Sequence, residues 1–164
     1  QEEEFNNSII SFAGADKRLE SLLEMDDRAF FKDFAHSPSK VNATTNALKN
    51  QYKNRKLIAL LELHTFSSLN EDFIGEYQNS LKQADIRILF YDPKAVASKG
   101  LKNISVQKIK DSFNDDNMIV ISDSNQLKAY LFELSYHNTN LLFMSSGNYA
   151  SLDLNIINDF IKNN

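Results

Sequence analysis

The sequence contains no cysteine and no tryptophan, and only two prolines and four glycines in 164 residues. The absence of cysteine excludes disulfide frameworks, cysteine-based metal sites and cysteine nucleophiles. With four glycines, the chain cannot build a glycine-rich phosphate cradle, and neither G-x-x-x-x-G-K-[ST] nor G-x-G-x-x-G occurs in it. If the chain binds a nucleotide, another part of a larger protein must therefore hold most of its phosphates.

Basic charge is also scarce, because 18 lysines and arginines against 22 acidic residues give a net charge of −4. Binders of nucleic acids and of membrane surfaces carry broad basic faces, so this balance argues against both. No apolar run approaches the roughly 20 residues that span a bilayer, and the acidic start QEEEFNNSII is not a signal peptide. We expect residues 1–164 to form a single domain. Since the first residue is not methionine, we also expect this domain to be a fragment of a longer protein.

Two kinds of segment alternate along the chain. Apolar runs rich in β-branched and aromatic residues predict strands at 28–34, 56–63, 86–91, 117–122 and 139–146, with an edge strand at 18–24. Helical spacing of apolar residues predicts helices at 37–52, 70–84, 105–113, 124–134 and 152–161, and the remaining segment 92–105 is predicted to be a surface loop. The alternation predicts an α/β fold, a three-layer Rossmann-like domain with a mostly parallel sheet flanked by helices.

Polar segments follow the predicted strands. In an open parallel sheet, ligands bind outside the carboxyl ends of the strands. The segments just beyond those ends are DFAHSPSK, HTFSSLN, YDP, SDS and SSGNY. They hold two of the three histidines, both prolines and one of the four glycines. The sequence therefore predicts a binding site at this edge of the sheet.

The segment DFAHSPSK has the composition of half a nucleotide site. The carboxylate of Asp33 suits ribose hydroxyls, and Ser37 followed by Pro38 predicts a helix start, whose N-terminus favours anions. The imidazole of His36 stands between them, and Arg18 upstream could reach a phosphate. A plainer interpretation stays open, in which Asp33 forms a turn, His36 is a surface side chain and Arg18 pairs with a carboxylate.

Two further segments carry small polar groups. ELHTFSSL offers His64, Thr65, Ser67 and Ser68 at a strand end, which suits a carboxylate or an amino group. The alternative is a polar loop that caps a helix starting near Asn70. In MSSGNY, Gly147 permits close approach of the backbone to a ligand, or simply forms a tight turn. A serine–histidine hydrolase is disfavoured, since no nucleophile elbow is visible.

Four stretches in order resemble the C-terminal domain of Mur ligases, the ATP-dependent enzymes that build peptidoglycan precursors. They are FAGADKRLE, FFKDFAHSPSKVNATTNALKNQY, RKLIALLELHTFSSLNEDFIGEYQNSLKQAD and NLLFMSSGNY. The resemblance implies a cytoplasmic enzyme of three domains. The N-terminal domain would bind a UDP-sugar, and the central domain would carry the phosphate loop and most Mg²⁺ ligands. The C-terminal domain would close over ATP and bring the incoming amino acid or peptide.

The resemblance also implies roles for individual residues. The residues expected at ATP are Arg18, Asp33 and His36. Those expected at the incoming amino acid or peptide are His64, Thr65, Ser67, Ser146 and Gly147. The matching motifs name no catalytic or metal-binding residue within this chain.

The resemblance is strongest to ligases that use UDP-N-acetylmuramate as acceptor. One adds L-alanine, and the recycling ligase adds the tripeptide L-alanyl-γ-D-glutamyl-meso-diaminopimelate. Ser68 stands where alanine-adding enzymes usually carry an arginine. DFAHSP and MSSGNY favour the recycling type, whereas LHTFS favours the alanine-adding type, and we expect the recycling type. A standalone nucleotide-binding or signalling module and a noncatalytic interaction domain are the alternatives from other classes.

Overall fold

The computed structural model describes residues 19–164, so Arg18 lies outside the described residues. Six strands form one sheet in the order β1-β2-β6-β3-β4-β5. These are β1 (Glu20–Glu24), β2 (Arg28–Asp33), β3 (Lys56–Leu63), β4 (Ile86–Tyr91), β5 (Ile119–Ile121) and β6 (Thr139–Met144). All neighbouring strands run parallel except β1, which pairs antiparallel with β2 at the edge. The mostly parallel sheet and its edge strand are confirmed.

Helices cover both faces of this sheet. They are α1 (Pro38–Gln51), α2 (Pro93–Ser98), α3 (Val106–Phe113), α4 (Ser124–Glu133) and α5 (Leu154–Asn163), with short 3₁₀ helices at Ile74–Tyr77 and Tyr149–Ser151. One core lies under α1, α2 and α3, and the other under α4 and α5. Alternate residues of β3 enter the two cores, Leu61 the first and Leu60 the second. The three-layer Rossmann-like fold is therefore confirmed, and burial on both faces explains the continuous apolarity of β3.

The prediction of a helix over residues 70–84 is wrong for most of that segment. The segment is a series of turns with one 3₁₀ helix, Ile74–Tyr77, and its backbone hydrogen bonds mostly join residues three apart. Asn79 has a φ of 60°, a left-handed conformation that regular helix does not contain. The apolar spacing still marks burial, because the Tyr77 ring stacks on Phe113 with centroids 5.5 Å apart. Side chains that face the core at intervals of four do not require a continuous helix.

The loop predicted at 92–105 is also partly wrong, because it opens with α2. The carboxylate of Asp92 accepts a hydrogen bond from the backbone N–H of Lys94 at 2.9 Å, and Pro93 occupies the first turn. An acidic N-cap before proline is an ordinary helix start. The remainder, 99–105, has no regular structure.

The position of β6 between β2 and β3 organises the edge where a ligand is expected. Asp33 at the end of β2 and Leu61 near the end of β3 both pair in register with Met144 of β6. The segments that follow these three strands therefore leave the sheet side by side.

No helix within residues 19–164 has the length and apolarity needed to cross a membrane.

Candidate ligand site at the carboxyl edge of the sheet

Asp33 ends β2 with its side chain held by donors of the domain itself. The residue is only 9% exposed. Its Oδ1 accepts a hydrogen bond from the N–H of Ala35, and its Oδ2 accepts one from the hydroxyl of Thr44 on α1, both at 2.9 Å. These bonds fix the turn from β2 into α1. Each carboxylate oxygen can accept a second bond, so a ribose hydroxyl would share these oxygens with the turn.

His36 follows in the same turn, and its surroundings define its tautomer. Its Nδ1 lies 2.8 Å from the carbonyl oxygen of Phe34. A carbonyl can only accept, so Nδ1 donates and the neutral ring keeps Nε2 as an acceptor. The hydroxyl of Tyr77 donates to the carbonyl of His36, and burial raises the pKa of Tyr77 to about 12. That donor therefore keeps its proton at neutral pH.

Helix α1 begins where the sequence predicted. Ser37 is the N-cap residue and Pro38 lies in the first turn, but the Ser37 side chain makes no cap hydrogen bond. The N–H groups of the first turn are therefore not satisfied by that hydroxyl. Such groups, with the partial positive charge of the helix N-terminus, attract anions.

Glu62, the second-last residue of β3, links two of the three strand ends. It is 2% exposed. Its Oε2 accepts a hydrogen bond from the hydroxyl of Ser145 and another, at 3.0 Å, from the backbone N–H of Tyr149. Its Oε1 lies 3.8 Å from Nδ1 of His64. One buried carboxylate thus ties β3 to the segment that follows β6 and faces an imidazole.

Gly147 lies directly against this imidazole. A Cβ at this position would be 2.6 Å from Cγ of His64 and 2.8 Å from Oε2 of Glu62. Gly147 itself donates its N–H to the hydroxyl oxygen of Ser145 at 2.6 Å. The structure therefore brings two predicted residues, His64 and Gly147, into contact, while the His64 side chain remains 38% exposed.

The hydroxyl groups after His64 mainly stabilise their own turn. Thr65 Oγ1 accepts from the N–H of Ser68 at 3.1 Å and donates to Ser68 Oγ at 2.9 Å. Ser67 is exposed, with its Oγ 3.3 Å from Thr65 Oγ1. Thr65 is thus primarily a turn residue, and Ser67 is the more accessible hydroxyl. The polar loop of the alternative interpretation is therefore present, but no α-helix starts near Asn70, and the chain continues in turns to the 3₁₀ helix Ile74–Tyr77.

Ser146 differs from these serines. Its Oγ is buried and has no hydrogen-bond partner among residues 19–164. A buried hydroxyl without a partner is costly. Its two neighbours belong to the hydrogen-bond network of Glu62. Ser145 donates its hydroxyl to Glu62, and Gly147 donates its N–H to Ser145.

The segment after Gly147 is strained. Tyr149, Ala150 and Ser151 have φ values of 54°, 52° and 66°, and left-handed backbone costs roughly 1–2 kcal/mol per residue. The N–H bond to Glu62 and the burial of the Tyr149 ring, 4.9 Å from that of Phe143, hold the segment in place. Burial raises the pKa of the Tyr149 phenol well above its ordinary value, and the negative Glu62 adds to this rise.

Within residues 19–164 there is no cluster of three or more histidine, cysteine, aspartate or glutamate side chains that could hold a metal ion. Two features of the first segment offer groups that a nucleotide could contact: Nε2 of His36, which is an acceptor, and the N–H groups in the first turn of α1.

Sequence reasoning missed four residues of this site: Thr44, Glu62, Ser145 and Tyr149. Glu62 had a usable signal, since it is the one charged residue in the apolar run 57–63. A charge in a buried strand must be paired or hydrogen-bonded. Thr44 and Tyr149 carried no such signal in the sequence, because the residues that they bond, Asp33 and Glu62, are distant in sequence.

The family model described as "Mur ligase, glutamate ligase domain" matches residues 17–147. This match extends over most of the chain, which therefore belongs to the Mur ligase family, a family of ligases. The resemblance predicted from the four sequence stretches is confirmed.

Solved structures share the fold. A domain from a protein described as a UDP-N-acetylmuramate:L-alanyl-γ-D-glutamyl-meso-diaminopimelate ligase of Haemophilus ducreyi has a TM-score of 0.60 at 22% identity, with 87% of this chain and 99% of that chain covered. A murein peptide ligase from Psychrobacter arcticus has a TM-score of 0.69 at 17% identity, with 96% of this chain and 32% of that chain covered. A UDP-N-acetylmuramate–alanine ligase from Thermotoga maritima has a TM-score of 0.63 at 14% identity, with 96% of this chain and 33% of that chain covered. The chain thus spans about a third of the latter two ligases.

Proposed function

We propose that this chain is the C-terminal domain of an ATP-dependent amide ligase that joins L-alanyl-γ-D-glutamyl-meso-diaminopimelate to UDP-N-acetylmuramate. The observation that carries the proposal is the insertion of β6 between β2 and β3, which places the Asp33–His36 turn and the His64–Gly147 contact at one edge. One half would serve the nucleotide and the other the incoming amine.

In the proposed reaction, the terminal phosphoryl group of ATP passes to the acceptor carboxylate. The incoming amine then attacks the acyl phosphate, which yields the amide, ADP and phosphate. The N-terminal and central domains of the same protein would bind the UDP-sugar and hold the triphosphate with Mg²⁺. Closure of this domain would exclude water from the acyl phosphate. Because the reaction consumes ATP and a UDP-sugar, we expect it in the cytoplasm.

On the nucleotide side, we assign Asp33 and His36 to the sugar and base of ATP, and Arg18 to its phosphates. The support is the acceptor capacity left on the Asp33 carboxylate and on Nε2 of His36. On the amine side, we assign His64, Thr65, Ser67, Ser146 and Gly147. The support is the half-exposed imidazole of His64 with Gly147 packed against it, and the exposed hydroxyl of Ser67 beside Thr65. The hydroxyl of Ser146 is buried and has no partner within residues 19–164.

The charge of the amine side favours the tripeptide over alanine. Apart from His64, segments 62–69 and 145–149 contain no basic residue. Free alanine carries a carboxylate beside its reacting amine, and a site for it would need a fixed positive charge. The tripeptide carries a neutral amide at that place and its carboxylates farther along the peptide, so the groups beside its reacting amine need only hydrogen-bonding partners. Addition of L-alanine is the second candidate, and protonated His64 would then be the partner of the carboxylate.

The test is turnover by the full-length protein with ATP, Mg²⁺ and UDP-N-acetylmuramate, with L-alanine and the tripeptide offered separately. We expect turnover with the tripeptide, reduced at least tenfold in His36→Ala and His64→Ala. His137→Ala is the matched control, because His137 is 81% exposed and pairs with Asp27 at the opposite end of the sheet. Turnover with alanine alone would select the second candidate. No turnover with either amine would contradict ligase function and favour a binding module.

A further inference from the structure

We propose that Glu62 is a positioning residue that fixes the tautomer and orientation of His64. Its buried carboxylate would hold the proton of the neutral ring on Nδ1 and so leave Nε2 as the acceptor for the incoming amine. The inference about Glu62 rests on contacts within this chain, and its purpose rests on the proposed ligase function.

The carboxylate itself is rigidly placed. Glu62 is 2% exposed and stands on the central strand β3. Its Oε2 is anchored by the Ser145 hydroxyl and by the N–H of Tyr149 at 3.0 Å. Both anchors lie on the segment that follows β6, so the carboxylate cannot rotate without breaking the contact between two strand ends. Its remaining oxygen, Oε1, faces His64.

The imidazole is constrained from a second side. Gly147 leaves no space for even a methyl group beside Cγ and Nδ1 of His64, where a Cβ would approach to 2.6 and 2.7 Å. Gly147 is in turn held by its hydrogen bond to Ser145, the same residue that anchors Glu62. The nitrogen that faces the carboxylate is therefore defined by packing as well as by charge.

Electrostatics then selects the tautomer. At 3.8 Å the Nδ1 and Oε1 atoms are too far apart for a hydrogen bond, but a buried carboxylate at this distance strongly favours an N–H over a lone pair. Glu62 is the only acidic residue in segments 62–69 and 145–149. It is thus the only acidic side chain of these two segments that can impose this preference.

The tautomer can be read directly by NMR, from the two-bond and three-bond couplings between ring nitrogens and carbons in the ¹⁵N-labelled chain. The spectra are recorded on the neutral form of each ring, at a pH above which its ring nitrogen and carbon shifts no longer change. We expect His64 to be mainly Nδ1–H in the wild type, and to shift toward Nε2–H, the form that free histidine prefers, in Glu62→Gln. Glutamine keeps an oxygen for the two anchors but loses the charge.

The chain supplies its own controls. His36 should remain Nδ1–H in both proteins, because its Nδ1 donates to a backbone carbonyl. Glu76→Gln removes an exposed carboxylate on the 3₁₀ helix and should leave His64 unchanged. If Glu62→Gln does not fold, Gly147→Ala provides a second variant, since its Cβ pushes the ring off the carboxylate. Nε2–H in the wild type, or the same tautomer in wild type and variant, would overturn the proposal.

Turnover by the full-length protein separates this role from a merely structural one. We expect Glu62→Gln to lower kcat at least tenfold, with the KM for ATP unchanged and the thermal midpoint near that of the wild type. A tautomer shift without any ligase activity in the wild type would refute the proposed function but not the role of Glu62 toward His64. An unchanged kcat beside a shifted tautomer would overturn the role in the reaction.

Discussion

The backbone of Gly147 and the ring of His64 are in such close contact that a Cβ on residue 147 would lie 2.6 Å from Cγ of the histidine. The two residues are far apart in sequence and follow different strands, β6 and β3. Glu62, near the end of β3, accepts hydrogen bonds from Ser145 and Tyr149 on the segment after β6, on either side of Gly147. It is the most specific feature of the candidate site, and it leads to the first prediction.

Gly147→Ala should destabilise the domain by about 1–3 kcal/mol, the usual cost of forcing an added methyl into a packed region. The check is the free energy of unfolding in urea. Gly75→Ala is the matched control, because a Cβ there meets nothing within 4 Å. Equal stability of the two variants would contradict the close approach of Gly147 to His64.

Thr44→Val should destabilise the domain by about 1 kcal/mol, the typical net value of a hydrogen bond. Valine keeps the branched shape of threonine but removes the hydroxyl that donates to Asp33 Oδ2 at 2.9 Å. Urea unfolding measures the loss, and Ser39→Ala, at an exposed position of the same helix, is the control. A loss no larger than in Ser39→Ala would show that this bond does not stabilise the turn.

Asp123→Ala should cost about 0.5–2 kcal/mol, the usual price of losing an N-cap. The Asp123 side chain accepts from the N–H of Gln126 at 2.9 Å at the start of α4. Ser37→Ala should cost far less, because Ser37 occupies the N-cap of α1 without a side-chain bond. Thermal unfolding compares the two variants, and a larger effect of Ser37→Ala would contradict this assignment of caps.

Alkaline pH should destabilise the domain. Burial raises the folded-state pKa of five tyrosines above the ordinary value of 10.0: Tyr52, Tyr77, Tyr130, Tyr136 and Tyr149. A raised folded pKa gives stability that is fully present below pH 10 and is lost at higher pH, because the unfolded chain releases these protons first.

The measurement for this prediction follows phenolate absorbance and the circular dichroism of the backbone as the pH is raised. We expect most phenolate to form above pH 10, together with loss of secondary structure. Tyr149→Phe should lessen this dependence on pH, since the phenol of Tyr149 has no ionisable counterpart in phenylalanine. Smooth ionisation of all tyrosines near pH 10 in a folded chain would contradict the burial of Tyr77, Tyr136 and Tyr149.

The sequence predicted the elements with continuous or periodic burial. The apolar runs of β3 and β6 have strand length, and α1 carries a helix-start signal in Ser37 and Pro38. The prediction failed at 70–84, where the spacing of apolar residues reports which side chains reach the core and not the path of the backbone between them. Tyr77 is buried there, as its spacing implied, yet the backbone is mostly turns.

The candidate site was predictable only in part. The residues Asp33, His36, His64 and Gly147 could be chosen because they follow strands, and all lie at the predicted edge of the sheet. The hydrogen bonds that hold Asp33 and Glu62 could not be predicted. Their donors, Thr44 and Ser145, are polar residues that nothing in the sequence distinguishes from the other threonines and serines. A contact between distant segments leaves no periodic trace in either of them.

The sequence by itself determined where the six strands and four of the five α-helices of residues 19–164 lie. The burial of alternate or continuous apolar residues and the residues at helix starts are local properties. Only the tertiary structure decided that β6 lies between β2 and β3 and so joins the two halves of the site. The hydrogen bonds between neighbouring strands are made by the backbone, which is the same for nearly every residue. The order of the strands therefore depends on how the helices and both cores pack together.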